Sequence, residues 1–430
     1  MTRANQRSTN EQEQRSFRAG LHLLRDRNFA RLFAAYLITY TGNAMTPVAI
    51  AFGVLEMTGS TADSALVIAA PVAAQVIVIL LGGALADRTS RQRMIVSAEA
   101  LAGISQAAIA ALFLTNLATI PLLVALAAIT GAAFALELPA KTGFITQIVR
   151  GTNLQAANAL LGAARSGAIT IGAALAGVLV ATVGVGLTLA FDALTFLLAA
   201  GLIASIRGLP QVRPAPASLW RDLQSGWREF VSHQWLWTIV LQFSILVAGL
   251  EAVHGLLGPA VARESLGGAV AWGLIAASSG FGTVLGGLVG LRLRVQRPMW
   301  FASLCAFAFA GTPLALALPA PLAIIMAAAC VSGIAGSWFG MLWYTTLQQR
   351  VPPELLSRVS AYDHFGSIAL APVGVLVGGI LFEVLGAQPT LLLAAAAVII
   401  PTAAVLFVPD VRRMRSDDPL PIHPSTAPRG

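Results

Sequence analysis

Gly82-Gly83-Ala84-Leu85-Ala86-Asp87-Arg88-Thr89-Ser90-Arg91-Gln92-Arg93 joins two long apolar runs, 62–86 and 94–115, through a short turn carrying one acid and three arginines. At 1.5 Å per residue, runs of this length cross a hydrocarbon core of about 30 Å. The turn therefore reads as a loop leaving a membrane between two spans. Composition extends that reading to the whole chain. Hydrophobic residues make up 57% of the 430 and charged residues 11%, where soluble domains carry about 25% charged. A surface so poor in charge cannot face water over most of its area, which excludes a cytosolic enzyme and a disordered chain. The runs are continuous rather than alternating, which excludes a β-barrel.

Outward from the turn, apolar runs bounded by charge, Gly or Pro predict twelve spans: 29–55, 62–86, 94–115, 120–148, 154–183, 187–206, 236–262, 269–291, 298–317, 321–347, 361–385 and 388–408. The loops after even-numbered spans hold thirteen arginines: Arg88, Arg91, Arg93, Arg150, Arg207, Arg213, Arg221, Arg228, Arg292, Arg294, Arg297, Arg350 and Arg358. Those after odd-numbered spans hold one, Arg263. Basic loops face the cytoplasm, so both termini are expected there, and the net charge of +8 reflects topology rather than nucleic-acid binding. No apolar h-region lies within the first 28 residues, so the first span is expected to direct membrane targeting.

The chain then divides into an N-terminal tail 1–28, a six-helix bundle 29–206, a cytoplasmic linker 207–235, a second six-helix bundle 236–408 and a disordered tail 409–430. The linker contains Leu219-Trp-Arg-Asp-Leu-Gln-Ser-Gly-Trp-Arg-Glu-Phe230, whose Trp220, Leu223, Trp227 and Phe230 share one face expected to lie along the inner membrane surface. A weak repeat relates the halves. Gly82-Gly83 before one Arg-rich turn matches Gly286-Gly287 before another, and Gln147 and Leu154 match Gln348 and Leu355. Parallel six-span halves place a substrate site between them near the midplane.

In the turn itself, Gly83 permits close helix approach, while Asp87 can pair with Arg91 or accept bonds from a helix N-terminus. With Arg88 and Arg93 these residues make a candidate conformational latch; the bland alternative is that the arginines only set topology. The pattern Gly83, three residues, Asp87, a basic residue, any residue, Ser90, then basic residues resembles the signature loop of the major facilitator superfamily, which carries Gly where this chain has Ser90. Further stretches are similar to its drug:proton antiporter branch, related to macrolide efflux proteins and the enterobactin exporter. They are Arg27-Asn28-Phe29, Leu154 to Leu160 with Ala157-Asn158-Ala159-Leu160, Phe191-Asp192-Ala193-Leu194-Thr195-Phe196, and Gln348, Pro352, Glu354, Arg358 and Val359. The resemblance implies an all-α membrane fold of twelve helices in two pseudo-symmetric bundles, and transport rather than catalysis.

Ionisable groups inside spans cost at least about 2.5–3.5 kcal/mol on insertion scales, so each is a functional hypothesis. Glu137 and Lys141, the chain's single lysine, share a face of span 4. Glu137 and Arg165 lie at equal depth, about 16 Å from the inner face, and are expected to pair, either as a brace or as a substrate or proton site. Glu251 near the middle of span 7 has no basic neighbour on that span, and His254 follows on the same face. A carboxyl isolated in low dielectric can load and release protons, which makes these two the leading proton-coupling candidates; a hydrogen-bonded structural Glu is the alternative. Family members often carry Asp near the position of Asn43, which cannot titrate but can bind substrate. Asp192 is expected to make a structural hydrogen bond. Glu99, Asp363 and His364 lie near cytoplasmic ends, where hydration makes charge less informative. Trp338 and Trp343 are candidate cavity walls beside Trp272 and Tyr344. Cys305 and Cys330 read as buried apolar residues.

These residues predict a proton-coupled exporter of small hydrophobic or amphiphilic molecules. A dedicated exporter of a siderophore or secondary metabolite, an importer on the same fold, and a non-transporting receptor or lipid-handling protein remain alternatives. A phosphate-binding GxxxxGK[ST] loop is absent, and no cofactor or metal is expected. The expected partners are a small-molecule substrate, protons and the lipid bilayer, with the protein monomeric and no nucleic acid bound.

Overall fold

Proline and glycine decide where these helices bend and stop. The computed structural model describes residues 23–86, 90–149, 154–207, 219–290 and 295–416, and among them it contains no strand. Helix α1, Arg27–Thr58, starts at Asp26, whose Oδ1 accepts from the backbone N–H groups of Asn28 and Phe29 at 2.9 Å, satisfying two orphan donors. It breaks between Arg27–Asn43 and Thr46–Thr58. Pro47 has no N–H to give the Asn43 carbonyl and its ring would crowd that oxygen.

Next come α2, Thr61–Ala86, α3, Arg91–Leu114, and α4, Ile120–Ile148. The continuous segment Leu154–Ala204 is two helices, α5 (154–183) and α6 (185–204), because Gly184 takes φ 83° and ψ 172°, which only glycine adopts without penalty. The second half repeats the device. After α7 (Gln234–Leu266), α8 (Ala269–Gly290), α9 (Pro298–Ala317) and α10 (Leu322–Arg350), Gly386 at φ 85° and ψ 177° separates α11 (Arg358–Leu385) from α12 (Ala387–Val405). Among the described residues, eleven apolar segments are long enough to span a membrane; with the longest divided at Gly184, they make twelve. Residues such as Ile77, Phe281 and Leu288 turn apolar side chains outward, as a lipid-facing surface requires.

The described residues gather into two compact units, one from Met1–Gly53 and Ala70–Ala215, the other from Val54–Ala69 and Pro216–Gly430. In the first, Phe29, Leu32, Tyr36, Ile95, Phe144, Leu161 and Ile203 form a core. Side chains from two helices satisfy the open carbonyls at the end of α6: Asn28 donates to Arg207 O, Arg31 to Ser205 O, and Gln92 to Ile203 O and Ile206 O. Gly172 of α5 packs against the Thr41 carbonyl of α1 with no room for a Cβ. In the second unit Gly374 of α11 does the same against Ala248 of α7, again six spans later.

The second unit's core contains Trp235, Leu236, Ile239, Met299, Phe339 and Trp343. Its α1–α2 hairpin is tied to α11: Ser60 Oγ and the Ala62 N–H donate to Glu383 Oε1 at 2.7 and 2.9 Å, and Thr61 Oγ1 donates to Gly379 O. The linker helix, Leu219–Ser232, does not present its whole apolar face to a membrane surface. Phe230 is buried, Trp227 lies 5.4 Å from the Tyr362 ring of α11, and Arg358 donates to Ser225 Oγ at 2.6 Å. Trp220 and Leu223 lie among side chains outside the described set. Residues just past 409 are also structured: Pro409–Arg413 is helical and the Ser416 N–H donates to Gln296 O.

Candidate functional site

Three helices of the first unit bring a charged cluster together in the apolar interior. Lys141 of α4 pairs with Glu137 one turn away and stands 3.3 Å from Glu99 Oε1 on α3. Thr39 of α1 donates to Glu99 Oε2 at 2.9 Å. Glu99, Glu137 and Lys141 are 2%, 3% and 7% exposed. Tyr36 and Tyr40, edge to face at 5.7 Å, present their rings 5.0 and 5.2 Å from the ammonium, within cation–π range. Two carboxylates therefore share one ammonium where an unpaired charge is costly.

The expected Glu137–Arg165 pair is not formed. Lys141 shares Glu137's helix face and occupies it, while the Arg165 side chain is exposed and its guanidinium lies 5.3 Å over Tyr40. Glu99 was expected at a hydrated helix end. It lies about 12 Å into α3, a depth similar to that of Lys141 in α4, and the two side chains meet there.

A third buried carboxyl, Asp192 of α6, is fully buried and accepts from Thr46 Oγ1 at 2.5 Å; Thr195 Oγ1, which donates to the Asp192 backbone carbonyl at 2.7 Å, lies 3.3 Å from its Oδ1. Asn43, half-buried, ends the first segment of α1 beside it. Of the signature turn, Asp87 and Arg88 lie outside the described residues; Gly83 is helical, Arg91 is half-buried and Arg93 exposed at the start of α3.

In the second unit Glu251 and His254 both have exposed side chains, with no hydrogen-bond or ion-pair partner for Glu251 among the described residues. His254 sits within a π-helical stretch, Val253–Leu257, a distortion frequent at functional sites. Of the two tryptophans expected to wall a cavity, Trp343 lies in the core, while Trp338 is half-buried. Trp338 donates to Gly286 O at 2.9 Å, bridging α10 and α8. Trp343 is 6% exposed, stacked with Phe339, and donates to Asp363 Oδ2 at 3.0 Å. Burying the indole requires a partner for its N–H, and Asp363 supplies it.

Residues 19–429 match the family described as transmembrane secretion effector, of the major facilitator type. The chain belongs to that family. It is a multi-pass membrane transporter of the major facilitator superfamily, not an enzyme. It is 25% identical over 407 residues to the multidrug efflux pump Tap of Mycobacterium tuberculosis (strain ATCC 25618 / H37Rv), covering 90% of this chain and 94% of that one. It is 26% identical over 403 residues to Tap of Mycolicibacterium fortuitum, covering 89% and 96%.

Solved structures of the nucleoside transporter NupG (TM-score 0.70, 14% identity, 88% of this chain and 98% of that one) and of an inward-facing, unoccupied bacterial homolog of the human lysosomal transporter Spinster (0.69, 14%, 88% and 95%) share the fold. At that identity the likeness concerns architecture alone. Among the described residues of this major facilitator protein, Glu99, Glu137 and Lys141 form the densest cluster of buried charges.

Proposed function

We propose that this transporter is a proton-coupled exporter of small hydrophobic or amphiphilic compounds, working by alternating access. The observation that carries this reading is the sharing of one ammonium by Glu99 and Glu137. With both carboxylates ionised the cluster is one negative charge in excess; one bound proton makes it neutral. Because the two acids stand on α3 and α4, gain or loss of that proton changes which helix holds Lys141, and so links proton traffic to helix packing. The similarity to the multidrug efflux pump Tap supports an exporter.

Glu251 and His254, read from the sequence as proton-coupling candidates, are accessible on α7 and suit contact with a cationic or polar part of the substrate; Asn43 is a substrate-contact candidate of the first unit, and Gly83, Asp87, Arg88, Arg91 and Arg93 are the latch of one conformation. The Arg-rich even-numbered loops support a bacterial inner-membrane location with both termini cytoplasmic. The protein is expected to work as a monomer in the bilayer, binding substrate and protons and no nucleic acid.

The test is ethidium efflux from preloaded cells expressing the protein, with and without a protonophore. Efflux should stop when the proton gradient is dissipated. Undiminished efflux under the protonophore overturns proton coupling.

A further inference from the structure

Asp192 belongs to the Phe191–Phe196 stretch that the transport reading leaves without a role. Its carboxylate is fully buried, and no cation faces it among the described residues. From α1 it meets Thr46 Oγ1 at 2.5 Å. On its own helix Thr195 Oγ1 lies 3.3 Å away. A Cβ at Gly42 would collide with both Asp192 Oδ1 and Thr195 Oγ1, so the contact is tight. From α3, Gln106 Nε2 donates to Thr46 Oγ1 at 3.0 Å, and Glu99 is the charged group that acts on Asp192.

The hydroxyl of Thr46 has one proton. The Gln106 amide donates to its oxygen, and the Thr46 proton is donated to Asp192 Oδ2. Thr46 is also the first residue after the Pro47-induced break in α1, and it is half-buried while Asp192, Thr195 and Gln106 are buried. It is thus the member of the chain that meets accessible space.

We infer that Asp192 is a second proton-binding group, whose protonation reverses the hydrogen-bond chain Asp192–Thr46–Gln106 across the break in α1. When Asp192 gains a proton, its O–H donates to Thr46 Oγ1, the Thr46 proton turns to Gln106, and the Gln106 amide rotates to offer its oxygen. No covalent bond other than the new O–H forms. The negative charge beside the start of the Thr46–Thr58 segment, favourable to a helix N-terminus, disappears, and the second half of α1 is held less firmly. This inference rests on the proton-coupled reading for its purpose, but its test is independent of transport.

The experiment uses the full-length protein in lipid nanodiscs, with pH-difference infrared spectroscopy for protonated carboxyl and amide hydrogen exchange over residues 44–48. On acidification the wild type should gain a carboxyl band that Asp192→Asn lacks. Exchange over 44–48 should rise about tenfold, as loss of a hydrogen bond to a charged group implies, and should not rise in Asp192→Asn. Thr46→Val should keep the band and lose the exchange response, and Thr46→Ser should retain both. Persistence of either signal in Asp192→Asn overturns the inference. Should that variant not fold, a wild-type exchange response in Thr46→Val overturns it instead. Protonophore-insensitive efflux would sink the coupling reading while leaving these signals unchanged.

Discussion

Lys141 Nζ stands 3.3 Å from Glu99 Oε1 across the α3–α4 boundary while also pairing with Glu137 on its own helix. The chain's one lysine thus neutralises half of a buried carboxylate pair. Its position also explains the two tyrosines, whose rings cover faces of the ammonium that the carboxylates leave open.

Removing the shared cation should therefore be far more damaging than removing one acid. Lys141→Met leaves two buried carboxylates without a counter-charge and should destabilise the first unit by about 3–5 kcal/mol. Glu137→Gln keeps the Lys141–Glu99 pair and should change stability by about 1 kcal/mol or less. Thermal unfolding in detergent measures the difference. Equal loss in both variants would mean that Lys141 is not the common partner.

The glycine at the α1–α5 crossing makes a second contrast. Gly172→Val pushes a branched side chain onto the Thr41 carbonyl and should cost about 1–3 kcal/mol or prevent folding. Gly162→Ala on the same helix meets nothing within 4 Å and should stabilise by about 0.5–1 kcal/mol. Expression yield and melting temperature of the pair report both signs.

Span number and limits were legible because a membrane span is a one-dimensional signal: length and apolarity suffice. What escaped includes the extension of α7 through Leu266 by two π-helical stretches, the helix at Pro409–Arg413 and the packing of the linker helix on Tyr362. Side-chain partners were far less legible. Depth along a helix can be counted from sequence, but the angle at which a neighbouring helix presents its side chains cannot. Glu137 and Arg165 share a depth yet face Lys141 and Tyr40 respectively. Trp343 likewise has the aromatic character of a cavity wall, and only the packing of Phe339 and Trp235 around it makes it core. The signature turn's central Asp87 and Arg88 lie outside the described residues.

Trp343 and Asp363 make a buried donor–acceptor pair, with Ser367 Oγ at 3.5 Å from the other carboxylate oxygen. Trp343→Phe keeps an aromatic ring in the stack but leaves Asp363 short of a donor, which should cost about 1–3 kcal/mol. Adding Asp363→Asn removes the orphaned charge, so the double variant should recover part of that loss. A double-mutant cycle on melting temperature checks it; strictly additive losses would show that the indole N–H contributes nothing to holding Asp363.

Glu251 and Glu137 should separate by phenotype. Glu251 is accessible on α7 and lacks a protein partner among the described residues, whereas Glu137 is buried against Lys141. Glu251→Gln should weaken efflux of cationic ethidium about tenfold, the scale set by losing one charge-assisted contact of about 1.4 kcal/mol, yet leave the remaining efflux protonophore-sensitive. Glu137→Gln should leave ethidium binding to the purified protein within about twofold of wild type while abolishing gradient-driven efflux. Efflux from preloaded cells, together with fluorescence-detected ethidium binding to the purified protein, distinguishes the two. If Glu251→Gln instead abolishes the response to the proton gradient, the proton is carried by α7 and the α3–α4 cluster is a structural brace.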